Sequence, residues 1–227
     1  MSDVGTLLAI DTSGATASVA VYHDQVLAEA VWQSGRSHSA QLIPMMDVLM
    51  KLARTERSDL AAIAVASGPG SYSGLRVGVS TAMGLALALG IGVVQVPTLD
   101  VIAWAQSGAS SGDGKPSRPI RAAIEVGRGH YGTARFRHVG QQLERETRIE
   151  TVGLGELLEQ VSAERSVLAV DLDRQAQEQI ERQYGSRLDL VSPAASARRA
   201  GFLAELAAVR LRRGEPTSGS VEPIYLH

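Results

Sequence analysis

The first third of the chain changes its apolar rhythm twice. Residues 6–10 form an almost continuous apolar block that stops at Asp11, while 17–22 and 26–32 alternate on either side of a His23-Asp24-Gln25 turn. Alternation broken by a short polar turn predicts three sequential antiparallel strands. Then Leu42, Met45, Met46, Leu49 and Leu52 recur every three or four residues, which predicts a helix with Ser37 or Ser39 as its N-cap. Pro44 falls early in that helix and is expected to bend or tighten its first turns. Residues 60–66 predict a strand, the stretch up to Gly90 a helix, 93–96 a strand and 99–106 a helix.

Residues 107–119, rich in Gly and Ser and carrying two prolines, read as a linker. Beyond it, strands are predicted at 120–126, 131–137, 143–149 and 167–170, and helices at 155–161 and 175–183. A last helix at 197–213 has Ser196 as its cap, arginines 210, 212 and 213 at its C-terminal end and Gly214 as its stop. Both sides of the linker therefore read strand–strand–strand–helix–strand–helix. The repetition lies in element order and not in residue identity, and it predicts two α/β halves with mixed sheets. The expected lobes are 1–106 and 117–227, the last helix packing back on the first lobe.

Residues 77–99 carry no charge, a length that could cross a bilayer. Four glycines, Ser80, Thr81, Gln95 and Pro97 dilute the stretch, and a buried helix followed by a buried strand accounts for it better. A formal net charge of −2 gives no general attraction for nucleic acid or membrane. There is no cysteine, which excludes disulfides, thiolate catalysis and thiolate metal sites. The N-terminal residues lack a basic signal-peptide start, so a cytoplasmic location is expected.

The loop "SGPGSYSGLRVG" (67–78) stands between a predicted strand and helix, where glycine-rich loops often cradle phosphate. Its spacing is neither GxGxxG nor GxxxxGK[ST]. A turn leading into a helix capped by Ser71 or Ser73 is the simpler reading. In that helix Gly74, Gly78, Ala82, Ala86 and Gly90 recur every four residues and form one ridge almost without side chains. Such a ridge admits another helix closely, from this chain or another. Met45, Met46, Met50 and Met83 fall on this helix and the one before it, and methionine suits surfaces that repack against partners.

"LLAIDTS", "SHSAQLIPMMDVLM", "ASGPGSYSGLRVGVSTAMGLALAL", "VPTLDVIA" and "EPIYL" together resemble the TsaB family, also called YeaZ. The resemblance follows nearly the whole chain and weakens after residue 127. It implies a two-lobed fold of the actin, hexokinase and Hsp70 (ASKHA) class, with mixed sheets and flanking helices. It also implies a noncatalytic subunit in making N6-threonylcarbamoyladenosine in tRNAs that read ANN codons. The implied partners are TsaD, which transfers the threonylcarbamoyl group, and the ATPase TsaE, with tRNA reached only through the complex. The implied docking surface is the first two helices, packed as a four-helix bundle: Met45, Met46, Leu49, Met50, Gly74, Leu75, Gly78, Ala82 and Met83. In isolation the same surface is expected to form a homodimer.

Asp11, Thr12 and Ser13 sit where this fold class has its first phosphate hairpin. Glu125 stands where the family more often has Asp, and the matching adenosine segment, "LAVDLDRQA", contains no glycine. These residues make a degenerate nucleotide site at most. His38 has Leu42, not a second histidine, four residues on, and His23, His130 and His138 show no ligand spacing. No metal and no cofactor is expected. The alternative functions are an ATPase or sugar-kinase-like enzyme of the same fold and, with less support, a peptidase.

Overall fold

The protein is described from a computed structural model covering residues 3–34, 38–107, 118–139, 142–170, 172, 176, 178, 180, 182, 184 and 188–226. Ser37, the Ser39 and His38 side chains, most of the 107–119 linker, most of the expected 175–183 helix and residues 171 and 173–175 of the "LAVDLDRQA" segment lie outside the described residues. The chain divides into two compact units, Met1–Val101 with Arg198–Tyr225, and Ile102–Ala197 with the last two residues.

The first unit is built on a five-stranded sheet of order β3-β2-β1-β4-β5. Its strands are β1 Thr6–Asp11, β2 Thr16–His23, β3 Gln25–Gln33, β4 Leu60–Ala66 and β5 Gly92–Val96. β1 pairs antiparallel with β2 and parallel with β4; β2–β3 is antiparallel and β4–β5 parallel. Central strands covered on both faces need apolar residues at every position, and β1 and β4 supply them. One face is packed by α1 (His38–Leu52) and α2 (Tyr72–Leu89): Leu42, Met46, Leu49, Val79, Ala82 and Ala86 meet Leu8, Ile10, Val19, Ile63 and Val65. The other face is covered by the last helix, which places Ala200, Leu203, Ala204, Ala207 and Ala208 on Leu7, Ala9, Ala20, Ala62 and Ala64. The alanines let this helix lie close to the sheet.

The uncharged stretch 77–99 resolves into most of α2, a stop at Gly90 (φ 68°) and β5. α2 is the one helix among the described residues long and apolar enough to cross a membrane, and it lies against the sheet. Its Gly74–Gly78–Ala82–Ala86 row faces inward. A Cβ at Gly74 would stand 2.0 Å from the Thr12 carbonyl oxygen, and one at Gly78 would stand 2.3 Å from Thr12 Oγ1. The close approach that the ridge predicts is therefore to this chain's own β1. The expectation that Gly74, Leu75, Gly78 and Ala82 present themselves to a partner is corrected on this point.

The second unit repeats the pattern with β6 Ile120–Gly127, β7 His130–Val139, β8 Gln142–Arg145, β10 Val167–Val170 and β11 Asp189–Leu190. In the order β8-β7-β6-β10-β11, each pairing has the sense of its counterpart in the first sheet. The strand expected at 143–149 is the shorter β8, and a further strand not expected from the sequence, β9 (Glu150–Gly153), follows it and pairs with β7. α4 follows α3 (Thr98–Ser107) in chain order and spans Leu154–Glu164; it sets Leu157, Leu158 and Val161 on Ala123, Tyr131, Val152 and Leu168. The expected 197–213 helix begins later, as α6 (Ala200–Arg212), with Arg199 and not Ser196 at its N-cap. Ahead of it stands a separate turn, α5 (Pro193–Ser196), capped by Ser192, because Pro193 fits the first turn of a helix and starts one there.

Candidate functional site

The residues singled out at the start of the chain meet the glycine loop and the return of the chain at Arg198. Asp11 ends β1 with its side chain fully enclosed. Its Oδ1 accepts the Ser13 N–H at 2.9 Å and the Ser13 hydroxyl at 2.6 Å, a local turn for which Asp is suited. Its Oδ2 faces Arg198 Nε at 3.6 Å. Arg198, itself buried, also donates from Nη2 to the Thr16 carbonyl at 2.8 Å. A Cβ at Gly14 would fall 2.2 Å from this guanidinium, so glycine is what lets the arginine in. On the other side, Thr12 Oγ1 donates to Gly74 O at 2.7 Å and Ser71 N–H donates to Ser13 O at 2.7 Å. The hairpin is clamped between the start of α2 and the arginine that precedes α6.

The glycine loop is equally engaged. Gly68 N–H donates to Thr98 Oγ1 at 3.1 Å, and Gly68 O accepts from Thr98 N–H at 2.8 Å. Ser71 Oγ accepts from Gly74 N–H at 3.3 Å and caps α2. Ser67 O accepts the Ile224 N–H at 2.7 Å, which ties the C-terminal "EPIYL" segment to the loop. Gly68 adopts φ +105°, and a Cβ there would lie 2.5 Å from Ile224 O. The N–H groups of Ser67, Gly68, Ser71, Gly74 and Leu75 all have intramolecular acceptors. Sequence reasoning picked out this loop; the structure gives it the work of a junction joining β1, α2, α3 and the tail.

The remaining residues of α1 and α2 divide by face. Met46, Leu49 and Met50 are buried against the sheet, and Met45 and Met83 are half-buried. The apolar side chains left in solvent are others: Ile43, Val48 and Leu52 on α1, and Leu87 and Tyr72 on α2, with Leu52 69% and Leu87 86% exposed. Gly84 also faces outward, with no atom within 4 Å of its Cβ position.

Glu125 belongs to the second unit, where it is exposed and accepts the Gly129 N–H at 3.3 Å across the β6–β7 turn. Among the described residues no group of three His, Asp or Glu side chains is placed to hold a metal. Arg121 is a residue that sequence reasoning missed: it sits mid-strand on β6, 2% exposed. It pairs with Glu164 and with Glu150 Oε1 at 3.2 Å, beside Arg135, its neighbour across the β6–β7 ladder, whose Nε meets Glu146 at 2.8 Å. With Arg137, whose Nε also meets Glu146 at 2.8 Å, three guanidiniums face three carboxylates, and the cluster's charges pair among themselves.

A family model described as "TsaD: tRNA N6-adenosine threonylcarbamoyltransferase" matches residues 25–190. The tRNA threonylcarbamoyladenosine biosynthesis protein TsaB of Escherichia coli (strain K12) is 32% identical over 107 residues, 46% of either chain. The protein of that name from Bacillus subtilis (strain 168) is 37% identical over 99 residues, 43% of either chain. The match thus spans about half the length of these curated relatives. The solved structure of YeaZ from Pseudomonas aeruginosa superposes with a TM-score of 0.75 at 25% identity, covering 98% of this chain and all of that one. The two mixed sheets with flanking helices are the fold of that YeaZ structure. With the family model matched over most of its length, the chain belongs to the tRNA N6-adenosine threonylcarbamoyltransferase family, as a member of its TsaB (YeaZ) type.

Proposed function

We propose that this chain is a noncatalytic subunit of the machinery that forms threonylcarbamoyladenosine in tRNA, docking TsaD through α1 and α2 and supporting TsaE. The observation that carries this reading is the set of large apolar side chains that α1 and α2 leave in solvent after covering the sheet: Ile43, Val48, Leu52 and Leu87. Large apolar side chains so exposed favour a covering partner. Gly84 and Ala88 add small exposed positions where a second helix comes close. The docking role expected of α1 and α2 thus passes to their outer faces, while Met46, Leu49, Gly78 and Ala82 hold those helices on the sheet. The engagement of Asp11 by Arg198 and Ser13 supports a role without chemistry of its own.

Co-purification with the TsaD of the same genome tests the reading. Wild type is expected to retain TsaD, and a Leu52→Glu/Leu87→Glu variant to lose it while keeping its melting temperature. Retention of TsaD by that variant would overturn the assignment of the surface.

A further inference from the structure

The C-terminal segment forms a groove along α2, one turn before the Gly84 and Leu87 positions of the proposed docking face. Residues Val221 to Tyr225 run beside α2, and with Arg76, Val79, Ser80 and Met83 they enclose a groove of ≈ 480 Å³. That volume is within the range of small-molecule sites. The four α2 residues are three and four apart and form one face of the helix. The opposite wall is fixed by backbone bonds: Ile224 N–H to Ser67 O at 2.7 Å, and a reciprocal pair between Ser218 and Val93 on the edge of β5. Val221 is anchored in the core beneath.

The lining is mixed, five apolar residues and three polar ones. Val79, Met83, Val221, Pro223 and the Tyr225 ring give the body of the groove; Arg76, Ser80 and Glu222 give its polar groups. Arg76 is held in place without being neutralised. Its guanidinium carbon lies 4.3 Å from the centroid of the Tyr72 ring, which lies 4.9 Å from that of Tyr225. Among the described residues no carboxylate pairs with Arg76, and no cation pairs with Glu222. An oriented, unpaired guanidinium recognises phosphate. Tyr and Pro rings accept the face of a base. A carboxylate accepts the N–H of an exocyclic amine.

We infer that this groove binds a nucleotide unit with an exocyclic amine, an adenylate or cytidylate: its phosphate on Arg76, its base against Tyr225 and Pro223, its amine on Glu222. The same unit exists free and within single-stranded RNA. The inference goes beyond the docking role and does not depend on it, since the isolated protein suffices to test it.

Isothermal titration of the full chain with AMP, with hexa-adenylate RNA and with hexa-uridylate RNA decides the matter. Binding of AMP or hexa-adenylate is expected, with hexa-uridylate about tenfold weaker, one lost recognition contact. Arg76→Ala should weaken binding by about tenfold, and Glu222→Gln should narrow the difference between adenylate and uridylate. Ser80→Trp, an exposed helix position, should fill the groove and abolish binding at an unchanged melting temperature. AMP alone, or the RNA alone, would assign the source and uphold the chemistry. No binding of either, binding indifferent to Ser80→Trp and Arg76→Ala, or equal binding of a polyglutamate peptide would overturn the inference.

Discussion

Asp11 is the residue at which sequence and structure part most instructively. Its position after an apolar strand and before Thr-Ser-Gly marks a tight hairpin, and that much is legible. Its partner is not: Arg198 reaches the same hairpin, at Thr16, from 182 residues along the chain, and no local pattern marks a long-range buried ion pair. Arg121 hides in the same way, because a charged residue within a strand reads as a solvent-facing position. A buried pair broken on one side leaves an uncompensated charge, at a cost of about 3–5 kcal/mol. Arg198→Met is therefore expected to lose about that much in a urea unfolding curve. Adding Asp11→Asn removes the stranded charge while keeping an acceptor for Ser13, so the double variant should be more stable than Arg198→Met alone. Additive losses would mean that the two side chains do not interact energetically.

At the scale of the helix, spacing is legible and orientation is not. The four-residue row of Gly74, Gly78, Ala82 and Ala86 foretells a close approach, but α2 carries a second run of small residues (Ser73, Ser80, Gly84, Ala88), and composition does not say which turns inward. The choice is made by Ile10 on β1 and Thr12 just beyond its end, which fill the space over Gly78. Thr12 Oγ1 cannot yield cheaply, because it holds the Gly74 carbonyl. Gly78→Ala is thus expected to destabilise by about 1–3 kcal/mol, overpacking outweighing the gain in helix propensity. Gly84→Ala, one and a half turns further on with open space above it, should stabilise by up to about 1 kcal/mol. Opposite shifts in melting temperature for one substitution on one helix would establish which row is core; shifts of the same sign would contradict the packing. The start of the last helix is a similar case: α6 begins at Ala200, and Ser196 closes the separate turn that Pro193 starts.

For the whole molecule, the repeated element order was visible in the sequence, and both sheets realise it with matching strand order and pairing sense. The return of the last helix to the first sheet is a consequence of supply. The first sheet has α1 and α2 for one face only, and Ala200–Arg212 covers the other with its alanines. That arrangement leaves the outer sides of α1 and α2 as the free surface of the first unit's helical layer. Ile43, Val48, Leu52 and Leu87 are exposed on these helices, Leu52 69% and Leu87 86%, and large apolar side chains so fully in solvent gain from a covering partner. The isolated protein is therefore expected to self-associate through this layer, and sedimentation at micromolar concentration should show a dimer. Leu52→Glu/Leu87→Glu sets like charges where two copies meet and should yield a monomer. Both side chains are solvent-exposed, so the melting temperature of the variant should stay within the small range usual for surface substitutions. If TsaD binds the same layer, adding it must convert the homodimer into a mixed complex rather than enlarge it. A wild-type protein that remains monomeric across the micromolar range, or a dimer that the double variant leaves intact, would place the interface elsewhere.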